Sequence, residues 1–126
     1  MTIIEAINAV DTLCPNSYSQ NEKVAWLSKV DGIIKREVID THEYNEGEAE
    51  ITFTGYNDST DLNTELIAKE PYADLYVSWL ESKVDYHNRE YGKFNNSAVV
   101  FNTHYTSFQN YYNRTHKPKA QKFTFF

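Results

Sequence analysis

The sequence predicts a mainly α protein: a small helical bundle of about four helices, with a short β-hairpin or extended loop inserted and a flexible C-terminal arm. Three observations carry this. Apolar residues recur at steps of three and four over two long stretches, which puts them on one face of a helix. Capping-box patterns precede the first two helical segments, Thr2 with Glu5 and Ser19 with Glu22. Residues 43–70 instead carry turn residues and a short β-branched alternation.

The first helix is expected over about 2–12, on Ile3, Ile4, Ile7 and Val10. Pro15 ends it, because proline donates no N–H and biases Cys14 away from helix. The second is expected over about 20–40, on the stripe Val24, Leu27, Val30, Ile34 and Val38, widened by Trp26 and Ile33. Gly32 lies inside it at a cost of about 1 kcal/mol relative to alanine. It marks either a close approach of another helix or a tolerated surface position. Asp31, Lys35 and Glu37 read as a solvated face.

An acidic run, Glu43, Glu46, Glu48 and Glu50, opens the inserted segment. Ile51-Thr52-Phe53-Thr54 reads as a strand, residues 55–61 as a turn, and Leu66-Ile67-Ala68 as a second short strand. Pro71 is suited to a helix start, and a third helix is expected over about 72–91. Gly92 is read as a break. A fourth helix then runs over about 95–115, with Asn95 or Asn96 as its cap. Its stripe is Phe94, Ala98, Phe101, Tyr105, Phe108 and Tyr112, assigned to the core. Pro118 ends the helix. The arm that follows is basic and then aromatic, and Phe123-Thr124-Phe125 alternates like a strand able to dock on another subunit. The whole is one domain, divided into N-terminal helices (1–42), loop or hairpin (43–70), core helix pair (71–116) and arm (117–126).

With 126 residues, 12 basic and 18 acidic side chains and a net charge of −6, the chain lacks the basic footprint of a dedicated nucleic-acid binder. The single cysteine, Cys14, excludes an internal disulfide and suits a reducing compartment. It has no histidine or basic neighbour in sequence and reads as a small filler rather than a reactive thiol. No secretory signal and no run of membrane-spanning length is read.

His42, His87, His104 and His116 are scattered, without metal-ligand spacing. Asn57, Ser59, Asp61, Asn63 and Glu65 alternate like a calcium loop, but lack its sixth-position glycine and twelfth-position glutamate. No phosphate loop, dinucleotide fingerprint or nucleophile elbow occurs. Glu81, Asp85 and Glu90 share helical spacing but read as solvated or paired with Lys83 or Arg89. The chain is therefore expected not to be an enzyme and to need no cofactor or metal. Seven of the ten tyrosines fall within 72–115, more aromatic surface than a core of this size calls for. Tyr56, Tyr86, Tyr111, Phe123, Phe125 and Phe126 are the candidate subunit-interface residues.

The pattern Glu70-Pro71-Tyr72, Leu75-Tyr76, Trp79-Leu80, Tyr91, Phe94-Asn95-Asn96-Ser97, Phe101-Asn102 and Tyr111 to Pro118 resembles a family of small proteins from phages and prophages of Gram-positive bacteria. Trp26-Leu27, Asp31-Gly32, residues 34–37 and Phe53-Thr54-Gly55-Tyr56 extend the likeness over almost the whole chain. The family is that of the head–tail connectors, also called adaptors or head-completion proteins. The resemblance implies a homo-oligomeric ring in the virion at the head–tail junction, assembled in the host cytoplasm. Its partners would be the portal protein and the tail-completion protein, with no membrane involved. DNA would pass through it without sequence-specific binding. The alternative is a small helical phage-encoded regulator that binds a host or phage protein.

Overall fold

The computed structural model describes residues 1–120 of the chain. Four α-helices follow in order: α1 (Ile3–Leu13), α2 (Gln20–Ile34), α3 (Asp74–His87) and α4 (Tyr91–Thr115). A single π-helical turn, Lys35–Ile39, prolongs α2.

Local chemistry sets the starts of α1 and α2. The Thr2 hydroxyl accepts from the Glu5 amide while the Glu5 carboxylate accepts from the Thr2 amide, so two otherwise orphaned donors are satisfied. Ser19 accepts from the Glu22 amide in the same way. In the π turn the Asp40 amide reaches back to the Lys35 carbonyl. The extra residue lets Val38 and Ile39 both join Ile34 in the core. Lys23 and Asp11 tie α2 to α1 at 2.7 Å, with the lysine stem buried between them.

The α3–α4 break lies at Asn88–Glu90 rather than at Gly92. Arg89 takes the left-handed conformation there (φ 60°), a place usually left to glycine, and Gly92 falls in the first turn of α4. Asn95 and Asn96 consequently lie inside the helix and do not cap it; Glu90 occupies the cap position without a side-chain bond. Pro71 sits in the turn before α3, which starts at Asp74.

The core gathers Ile3, Val10, Leu27, Ile34, Leu66, Leu75, Tyr76 and Leu80, with Phe108 and Tyr112 closing it from α4. Among the helices α4 packs mainly against α3, antiparallel to it, through Ser97 on Asp85, Phe101 on Trp79 and Phe108 on Tyr72. One side of α4 is thus left open. Along the expected stripe only Phe108 and Tyr112 are buried, while Phe94, Ala98, Phe101 and Tyr105 are half-buried.

Residues 43–70 form an extended loop, not a hairpin. Neither expected strand appears, and the described residues contain only two isolated bridges, Thr2 with Glu65 and His42 with Pro118. The reason is a change of partner. Leu66 donates its amide to the Met1 carbonyl and Ile3 donates to the Thr64 carbonyl, so 64–66 pairs with the N-terminus. Phe53 and Tyr56 turn instead onto α2, where Phe53 approaches Gly32.

Charge is divided along the chain. All 18 carboxylate side chains precede Tyr91, and residues 91–126 hold Lys93, Arg114, Lys117, Lys119 and Lys122 with no acid. Helix α4 is a carboxylate-free rod of 25 residues, about 37 Å long. The acidic run 43–50 lies against the C-terminal end of α4, where the Asn45 side-chain amide donates to the Thr115 carbonyl and Glu48 meets His116.

Candidate functional site

The most constrained polar site is at Asp31. Far from solvated, it is completely buried. The Tyr76 hydroxyl donates to its Oδ1 at 2.5 Å and the Tyr56 hydroxyl to its Oδ2 at 2.5 Å. The Ile67 amide also donates to Oδ2, at 3.2 Å. Tyr76 in turn accepts the Ala68 amide at 2.7 Å. One carboxylate on α2 therefore holds both ends of the loop segment 56–68 and a tyrosine of α3. Burial pushes the Asp31 carboxyl above its ordinary range, and the donors from Tyr56, Tyr76 and Ile67 oppose that shift. Burial and the Asp31 charge both push the Tyr56 and Tyr76 hydroxyls up, so they remain donors. Both carboxylate oxygens have hydrogen-bond partners, and the arrangement fixes the loop to α2 and α3.

The sequence held a signal for this. Asp31 falls on the step Leu27, Asp31, Ile34, Val38, which is the buried face. The alternative stripe through Val30, which is also buried, hid it.

A second cluster closes the other end of the loop. His116 is buried and stacks flat on Tyr112 (centroids 3.8 Å apart), while its Nε2 meets Glu48 Oε2 at 2.9 Å. His42 packs edge-on against the same tyrosine, with Nδ1 on the Val38 carbonyl at 2.7 Å and Nε2 on Asn113 Oδ1 at 2.8 Å. The His116 bond holds the Glu48 carboxyl below its usual range. These residues lie far apart in sequence, and no local pattern announces them.

Between the two clusters runs an extended stretch. Tyr44 Oη accepts the Ile51 amide at 3.1 Å, and Ser28 Oγ accepts the Tyr56 amide at 3.0 Å. An open groove of about 410 Å³ lies beside it, lined on the far side by residues 64–67.

The candidate interface residues fall in three different settings. Tyr56 is half-buried and committed to Asp31. Tyr86 is half exposed and, with Tyr91 and Phe94, forms an aromatic patch at the start of α4. Tyr111 is half-buried and stacks on Tyr72 at 4.8 Å, so it is less open than expected of a residue outside the core stripe. Phe123, Phe125 and Phe126 lie outside the described residues. Missed by the sequence reading were Val99 and Val100, exposed on the open side of α4, and Leu13, exposed at the end of α1.

Groups that suggested other chemistry are occupied. The Asn57 and Asp61 side chains accept the amides two residues on and build turns, and Glu65 pairs with Lys69 at 3.7 Å. Asp85 accepts the Ser97 hydroxyl inside the α3–α4 contact. Burial, with the charges of Asp85 and Glu81, pushes the Cys14 thiol up and away from nucleophilic character. No cluster of histidine, cysteine and carboxylates suited to a metal exists among the described residues. Nor is any of their helices long and apolar enough to cross a membrane. No protein-family model, curated protein or solved structure matches the chain.

Proposed function

We propose that the chain is a structural adaptor, forming a ring between a phage portal protein and a tail-completion protein and continuing the channel for DNA. The observation that carries the reading is that the molecule has two surfaces of unlike charge. One is the open surface of α4, free of carboxylates, with Tyr91 exposed at its start and Val99 and Val100 exposed about two turns further on. The other is the acidic loop, tied to the bundle by His116 at Glu48. A ring needs head-to-tail contacts between two different surfaces of the same subunit, and opposed charge helps such surfaces meet in one orientation. Acidic surface facing a channel would repel phosphates and let a duplex slide, where a basic surface would hold it. The likeness to head–tail connectors described above points the same way.

Cryo-electron microscopy of the protein mixed with the portal of the same phage genome tests this. The expected result is a ring of copies continuing the portal channel. A complete absence of portal contact overturns the reading, as does tight, strongly salt-dependent binding of the chain to duplex DNA.

A further inference from the structure

We propose that Ile51–Thr54, ended by the left-handed turn at Gly55 (φ 98°), is an open edge that receives the C-terminal segment Lys122–Phe126 of a second copy by backbone pairing. Ile51 and Phe53 are half-buried and Thr52 and Thr54 exposed, the alternation of a strand lying on a core. Yet no strand lies beside it among the described residues. Among the described residues, no backbone N–H or C=O of Thr52, Phe53, Thr54 or Gly55 takes part in a hydrogen bond. Both ends are nevertheless fixed, by Tyr44 at Ile51 and by Ser28 at Tyr56. A stretch tied at both ends with its backbone groups unpaired among the described residues can act as the template for strand addition, and part of its ordering cost is met before a partner arrives.

The groove alongside has room for a short extended peptide. Its far wall, residues 64–66, is bonded on its other edge to Met1 and Ile3. The occupant is named by pattern and charge. Lys122-Phe123-Thr124-Phe125-Phe126 is strand-patterned, with Phe123 and Phe125 on one face of such a strand. Acids Glu43, Glu46, Glu48 and Glu50 lead into the open edge, and Lys117, Lys119 and Lys122 lead into the terminal segment. A parallel register sets Lys122 beside Glu50 and turns Phe123 and Phe125 toward the groove.

The donor is another copy because of how the chain leaves its own body. Glu43 donates its amide to the Lys117 carbonyl and Lys119 donates to the Thr41 carbonyl. Residues 117–119 therefore run antiparallel to 41–43 and are engaged with that segment of their own body as far as Lys119. The proposal rests on the ring reading only as the setting in which copies meet.

The test uses the ¹⁵N-labelled full chain carrying Phe123→Ser and Phe125→Ser, so that its own terminus cannot compete. The probe is a synthetic peptide of residues 119–126. The expected result is saturable binding, with amide exchange slowed at least about tenfold at alternate residues of Thr52–Gly55, those whose N–H faces the peptide. Thr54→Pro should weaken binding by a similar factor. Two further peptides, N-methylated at Thr124 or at Phe125, leave the protein unaltered. Successive amides of a strand point to opposite edges, so one of the two must lose binding. Binding without protection at 52–55, no binding at millimolar peptide, or protection that appears only when portal is added each overturns the proposal. A chain that joins no portal yet shows this protection removes the ring reading and leaves the strand site standing. A ring without the protection does the reverse.

Discussion

The Tyr76 hydroxyl stands 2.5 Å from the buried Asp31 carboxylate while accepting the Ala68 amide at 2.7 Å. A helix, a helix and a loop are joined at one oxygen atom. Deleting the acid leaves two tyrosine hydroxyls and the Ile67 amide without their acceptor. Asp31→Ala should therefore cost about 3 kcal/mol of stability, and Asp31→Asn, which keeps one carbonyl acceptor, clearly less. Urea unfolding of the three proteins checks this. Equal stability of all three would show that the loop is held by other contacts.

The same acid sets a pH dependence of unusual sign. Its pKa is raised above the unfolded value of 3.8, so the folded chain binds its proton more tightly. Its contribution to stability is greatest below 3.8 and falls as pH rises through the folded value, then levels off. The difference in unfolding free energy between the natural chain and Asp31→Asn should shrink or reverse over that window. A difference that grows with pH would contradict the assignment.

Glu48 works in the opposite direction. The His116 bond lowers its pKa below 4.5, so the stabilisation is present above that value and is lost as pH falls through the folded one. Acidification should lower the protection of amides over Glu43–Glu50, measured against their intrinsic exchange rates at each pH, and Glu48→Gln should remove most of that acid-induced step. A uniform loss of protection across the chain would assign the effect to global unfolding instead.

Gly32 faces a loop side chain rather than another helix. A Cβ placed there would lie 3.5 Å from Phe53 Cε1, an ordinary contact. Gly32→Ala should raise stability by about 0.5–1 kcal/mol, through helix propensity. Thermal unfolding reads this directly. A loss of stability would mean that Phe53 cannot yield.

The α4 stripe is graded along its length. Phe108→Ala should cost about 3–5 kcal/mol, since the ring is buried among Tyr72, Tyr111 and Tyr112. Phe94→Ala, at the half-buried end beside Tyr86, should cost much less. Matched denaturant curves for the two variants separate these outcomes.

These contrasts mark what a sequence can carry. The four helices and the caps at Thr2 and Ser19 followed from spacing and local chemistry, because those depend on residues a turn apart, whereas the α4 stripe, assigned whole to the core, is buried only at Phe108 and Tyr112. The loop did not follow. Ile51–Thr54 has the composition of a strand, but whether it forms one depends on a partner that composition does not name. Arg89 took the left-handed turn that Gly92 appeared to invite, since the geometry of α3 meeting α4 fixed where the chain had to reverse. Asp31 looked solvated because acids usually are; its two tyrosine partners lie 25 and 45 residues away. The His42–Tyr112–His116 stack is likewise a product of the fold alone.

The division of charge reaches into the covalent chain as well. A protease that cuts only after acidic residues finds its last site at Glu90, in the turn before α4. Complete digestion should therefore release residues 91–126 as one intact, cationic peptide, separable in a single step from fragments that carry every negative side chain.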